Sequence, residues 1–108
     1  MIEDIDYLIS AVSYKPSDNK VKKVLAHKRK DKYGVGYPYE ETRAQLLKKM
    51  ERGKTYYTLV KGQNTPYDYD VGDQVKRIEV DSETFLRTDD KEEKADFLAG
   101  TEILEEPY

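Results

Sequence analysis

Apolar positions along this chain gather into short clusters that predict strands, and one stretch alone carries helical spacing. Residues 6–14 are rich in β-branched, aromatic and hydroxyl side chains, which suits a first strand. Lys15-Pro16-Ser17-Asp18-Asn19-Lys20 follows as a turn, because Pro, Asp and Asn favour turn geometry. Residues 21–28, with Val21, Val24, Leu25 and Ala26 as apolar content, predict a second strand, antiparallel to the first. A loop over residues 29–38 leads to the helix, at about residues 40–52. Leu46, Leu47 and Met50 share one helix face, with Ala44 and the stem of Arg43 at its margins.

Glu40 and Glu41 at the helix start, and Lys48, Lys49 and Arg52 at its end, complement the helix dipole. Gly53 stands where a left-handed C-terminal cap belongs, but no capping residue precedes Glu40. Residues 54–61 are the strongest strand signal, and residues 62–72 read as a loop. Residues 74–80 predict a strand with Ile78 and Val80 on one face and Val75 on the other. Asp81-Ser82 turns the chain into a partner strand at residues 83–88. A charge run at residues 89–94 precedes residues 95–100, a short helical turn that packs Phe97 and Leu98. The expected fold is one α+β domain: a mostly antiparallel sheet of about five strands, β-β-α-β-β-β, with one packed helix. Its compact part spans about residues 5–98, with residues 99–108 as a loose tail.

Composition narrows the chemistry. A single domain of 108 residues should bury roughly two-thirds of the surface of its unfolded chain. The chain has no cysteine, which removes disulfides, zinc fingers and thiol nucleophiles and suits a reducing compartment. No apolar run approaches the roughly 18 residues of a membrane helix, and the acidic start lacks a signal peptide's basic residues. A cytoplasmic location without membrane contact is therefore expected. The net charge is −3, but residues 1–14 carry −3, residues 15–64 carry +9 and residues 65–108 carry −9. This asymmetry suits electrostatic partners or a two-faced surface; the plainer reading, solvated charges on outer strand faces, is preferred.

Three stretches together carry a resemblance: Asp6-Tyr7-Leu8-Ile9-Ser10-Ala11-Val12, Gly53-Lys54-Thr55-Tyr56-Tyr57-Thr58 after a helix, and Phe85-Leu86-Arg87-Thr88-Asp89. In order and spacing, over about residues 5–98, the chain resembles domain-of-unknown-function family 3892, small prokaryotic and phage-associated proteins. That family often closes with Asp-Asn-Leu leading to Leu-Pro. Here Asp96-Phe97-Leu98 takes that place and the proline arrives only at Pro107, a departure that bears on how the C-terminus docks. The resemblance implies a compact strand and helix domain and no catalytic residue. It also implies a small phage or plasmid regulatory or anti-defence protein as one alternative.

The single histidine, His27, falls in a basic predicted strand, where packing is the simpler role; spacing alone supplies no hydroxyl or carboxylate partner. Asp68-Tyr69-Asp70-Val71-Gly72-Asp73 partly matches a calcium loop, but a predicted strand replaces the exiting helix. It and the cluster Asp89, Asp90, Glu92 and Glu93 read as hydrated turns, so neither metal nor cofactor is expected. Gly53-Lys54-Thr55 leaves a helix instead of entering one, so the dipole points the wrong way for phosphate. Residues 15–32 hold eight Lys or Arg against two acids, close in sequence to several tyrosines. Single-strand binders combine such cations with aromatic platforms, which nominates Lys22, Lys28, Arg29, Lys30, Tyr33 and Tyr56. The acidic pI of about 5.3 argues against it. The expected function is therefore a non-enzymatic binding or accessory domain acting through protein association or self-association. Nucleic-acid binding is second and enzyme activity third.

Overall fold

A central strand, β1 (Tyr7–Lys15), organises the molecule. The computed structural model describes residues 5–29, 35–61 and 69–104. β2 (Lys20–Lys28) pairs antiparallel with β1, and bulges interrupt their register between Ile9 and Ala11 and between Ser13 and Tyr14. β3 (Tyr39–Thr42) lies outside β2, antiparallel to it. Helix α1 (Arg43–Glu51) then carries the chain over, and β4 (Tyr56–Lys61) enters parallel to β1 on its other side. β5 (Tyr69–Gln74) closes that end, antiparallel to β4. β6 (Lys76–Val80) and β7 (Glu83–Arg87) form a separate hairpin. β8 (Glu102–Ile103) returns beside β1, parallel to it. The main sheet runs β3-β2-β1-β4-β5, with β8 against β1. The α+β class, the mostly antiparallel sheet and the single packed helix thus agree with the sequence reading. Among the described residues no helix is long and apolar enough to cross a membrane.

The helix begins three residues later than its charges imply. Thr42 is its N-cap: Thr42 Oγ1 accepts the Gln45 N–H at 3.2 Å, and Gln45 Oε1 accepts the Thr42 N–H at 3.0 Å. This reciprocal capping box satisfies two end donors, so residues 39–42 are free to pair as β3. Gly53, at φ 90°, ends the helix; its N–H reaches Met50 and that of Lys54 reaches Lys49. Only a residue tolerant of the left-handed region fits there without strain. Leu46 is fully buried, while Leu47 and Met50 pack at the edge of the same cluster.

One core cluster lies between the sheet and α1 and joins Ile9, Val12, Val24, Leu46, Val75 and Leu86. A smaller cluster of Ile5, Leu8 and Leu59 lacks any helix residue and marks the sheet's other face. Several expected boundaries change. The loop over residues 62–72 gives way to β5 from Tyr69 onward, with residues 62–68 outside the described residues. The strand expected at residues 74–80 is divided at Val75, whose N–H bonds the Tyr56 carbonyl before the chain leaves for the hairpin. Asp81 and Ser82 turn that hairpin at φ 51° and 69°, the two-residue geometry that matches strand twist. The helical turn expected at residues 95–100 is instead an irregular segment, bridged to Arg87 at Phe97 and turning at Ala99-Gly100. The expected tail is tied to the sheet as far as Leu104, whose N–H bonds the Val12 carbonyl at 2.8 Å.

Gly72 in β5 faces Thr58 and Val60 so closely that a Cβ would overlap Thr58 Oγ1 and sit 3.1 Å from Val60 Cγ1. That oxygen is occupied, accepting the Asp73 N–H at 3.0 Å. Gly72→Ala is expected to cost about 1–3 kcal/mol through overpacking. Urea denaturation reads this as a lower midpoint; an unchanged midpoint would refute the close approach.

Candidate functional site

Among the described residues, the nominated cations do not share a platform with Tyr56. Lys22 and Lys28 are exposed on β2, and Arg29 bridges to Val35. Lys30 and Tyr33 lie outside the described residues. Tyr56 is 0% exposed, which corrects its assignment as a stacking surface. Its ring stacks on Tyr7 with centroids 4.9 Å apart, and its hydroxyl donates to the buried Glu41 carboxylate. Lys49 Nζ completes the group, 2.6 Å from Glu41 Oε2 and 4.5 Å above the Tyr7 ring. Burial, then the facing carboxylate, pushes the Tyr56 phenol far above its ordinary range. Burial opposes the charge on Lys49, but Glu41 and Tyr39 outweigh it and raise the ammonium as well. Elsewhere on β2, Lys20 pairs with Glu83 at 3.4 Å and Lys23 with Glu40 at 2.7 Å.

The acidic stretches also acquire structural partners. Arg87, with its side chain only 4% exposed, holds Asp89 at 2.6 Å and Glu93 at 3.0 Å and donates to the Ala95 carbonyl at 2.8 Å. Its hydrogen bond holds the Asp89 carboxyl down at about 2. Asp90 pairs with Lys76 at 2.8 Å. The run expected as a hydrated turn is therefore partly anchored. Asp68 lies outside the described residues, while Asp70 and Asp73 belong to β5. Among the described residues no three His, Cys, Asp or Glu gather as a metal set.

The clearest binding feature is apolar. A depression of about 430 Å³ opens between the end of β1, the β1–β2 turn and residues 95–103, with Tyr14, Asn19, Phe97, Leu98 and Ile103 among its walls. Asp96 sets the position of that returning segment. Its carboxylate accepts the Val21 N–H at 2.7 Å, the Leu86 N–H at 2.8 Å and Arg43 Nε at 2.8 Å. The N–H of Asp96 in turn bonds the Asn19 carbonyl at 3.0 Å. The Leu98 N–H donates to Tyr14 Oη at 3.1 Å, so Leu98 is buried as floor. Burial raises the Tyr14 phenol, which stays a neutral wall. Phe97 and Ile103 remain 44% and 65% exposed on the rim. β8, which carries Ile103, pairs only with β1, so its outer edge is open among the described residues.

His27 has partners that the sequence did not disclose. His27 Nδ1 lies 2.9 Å from the Gly36 carbonyl oxygen, and Nε2 lies 2.8 Å from Ser10 Oγ. A hydroxyl is present, but a backbone carbonyl stands where a triad has its carboxylate.

Fold and site together define a small α+β domain with an apolar groove beside an open strand edge. No family model, no curated protein and no solved structure matches the chain. The resemblance to domain-of-unknown-function family 3892 rests on its three short stretches alone.

Proposed function

We propose that this domain is a non-enzymatic binding module that docks an extended apolar segment of a partner protein. The groove under Phe97 and Ile103 carries this reading, because an apolar cavity beside an edge unpaired among the described residues offers both of the things such a segment needs. Main-chain bonds to β8 supply affinity, and an apolar anchor filling the cavity supplies selectivity. Large apolar side chains left in water at a concave site are what mark docking surfaces. Peptides selected by display against the folded domain are expected to carry an apolar anchor in an extended flank. Ile103→Lys, at an exposed position, is expected to weaken them about tenfold or more. Equal affinity for the variant, or recovery of no binder, would overturn the reading. Light scattering across a dilution series tells a second copy from a foreign segment. A mass that rises with concentration and is abolished by Ile103→Lys assigns the groove to self-association.

A second reading, single-stranded nucleic acid, is supported by Tyr37, 90% exposed just before β3, with Lys28 exposed on the neighbouring β2. A gel-shift series at two salt concentrations tests it, because phosphate contacts demand steep salt dependence. No shift at low salt would end it.

A further inference from the structure

We infer that Ser10 is a base-activated acceptor that takes one acyl or phosphoryl group from an activated donor, with His27 as the base. The hydrogen-bond geometry selects the tautomer of the neutral ring. A carbonyl oxygen only accepts, so the 2.9 Å contact to Gly36 places a hydrogen on Nδ1 of the neutral His27 ring. Nε2 then carries a lone pair, and the 2.8 Å contact makes Ser10 the donor to it. That is the arrangement of a nucleophile and its general base.

Local structure holds the pair in place. Ser10 sits in the β1 bulge, outside the register that pairs Ile9 with Ala26 and Ala11 with Leu25. Bulges re-aim side chains in this way. His27 is opposite Leu8, a member of the cluster on the sheet face away from α1. His27 is only 9% exposed and its ring is held at both nitrogens, whereas Ser10 is half-buried and keeps part of its surface exposed. The pair is therefore separate from the groove at Phe97 and Ile103, and the inference does not depend on the docking reading.

The third partner sets the donor class. A carboxylate behind the ring would stabilise the imidazolium that forms; the Gly36 carbonyl orients the ring but carries no full charge. The pair accordingly suits donors with good leaving groups, such as activated esters and phosphoryl fluorides, and not peptide bonds. In the step, Ser10 Oγ bonds to the acyl carbon or phosphorus and the leaving group departs with its electron pair. The hydroxyl proton passes to His27 Nε2. The reaction is stoichiometric, one group per chain.

A fluorophosphonate tests this on the intact protein. The Oγ–P bond forms, the P–F bond breaks and fluoride leaves. Intact mass is expected to show one adduct, and peptide mapping to place it on Ser10. Ser17 and Ser82 lie in exposed turns without an imidazole and serve as internal references in the same chain. Ser10→Ala is expected to abolish the adduct. His27→Gln keeps a hydrogen-bonding amide near the Nε2 position but cannot take up a proton, and should slow labelling about 100-fold or more. No adduct on wild-type Ser10, or equal labelling of Ser17 and Ser82, would overturn the inference whether or not the variants fold. Labelling unchanged in folded His27→Gln would remove the histidine as base.

Discussion

Asp96→Ala is expected to lower stability by about 3–5 kcal/mol, the cost of breaking a buried ion pair on one side. The Asp96 side chain is 0% exposed and joins three parts of the fold: β2 at Val21, α1 at Arg43 and β7 at Leu86. Without it, two buried N–H groups lose their acceptor and a guanidinium only 20% exposed loses its carboxylate, keeping the Thr84 carbonyl. Small domains hold about 5–15 kcal/mol in total, so a loss of this size takes much of the reserve. Thermal unfolding by circular dichroism should show the midpoint fall by roughly 12 °C or more. Asp96→Asn keeps the shape and part of the acceptor set and should cost less. A fall of under about 1 kcal/mol for the alanine variant would mean that the turn and the returning segment hold together without this carboxylate. Because Asp96 also positions the groove wall, the same variant should lose peptide binding even where it stays folded.

Truncating Tyr56 should be comparably severe. Its ring fills the core against Tyr7, so Tyr56→Ala is expected to cost about 3–5 kcal/mol through the cavity it leaves. Tyr56→Phe isolates the hydroxyl, whose bond to a buried carboxylate is worth about 1.5–3 kcal/mol. The pair also creates an alkaline limit. The folded Tyr56 pKa is raised above its ordinary value of about 10. The unfolded chain therefore loses this proton first. The associated stability is complete below about pH 10 and drains away as pH rises beyond it. Lys49, also raised, acts in the same direction. Urea midpoints at about pH 9 and about pH 11 should fall more for wild type than for Tyr56→Phe, and equal falls would contradict the linkage. Tyrosinate absorbance supplies a second reading, since Tyr56 should resist ionisation until the fold opens.

Legibility varied with the range of the interaction that decides each element. The β1–β2 hairpin, the β6–β7 hairpin and the helix face of Leu46, Leu47 and Met50 rest on neighbours close in sequence, and these were readable. The helix start was misplaced because Glu40 and Glu41 imitate a helical first turn. Strand pairing instead places Glu41 opposite Val24, beneath α1 and in reach of Tyr56. Tyr56 looked like a surface aromatic because it sits among bases in sequence, yet the parallel pairing of β4 with β1 turns it inward. Ser10 gave no signal of its own, since the bulge that aims it at His27 follows from the register of two strands. Asp96 gave only a faint signal, an acid flanked by Ala95, Phe97 and Leu98.

From the sequence by itself came the α+β class, the one amphipathic helix with its glycine stop and the exclusion of thiol chemistry. Each depends on residue type and on spacing of a few positions, which backbone geometry translates directly. Only the tertiary structure decided which charges are buried and which aromatics face water. It also decided where residues 95–103 close a groove. Those outcomes join Asp96 to Val21 and Tyr56 to Glu41 across the fold, and no local pattern encodes a contact whose two halves are brought together by sheet order.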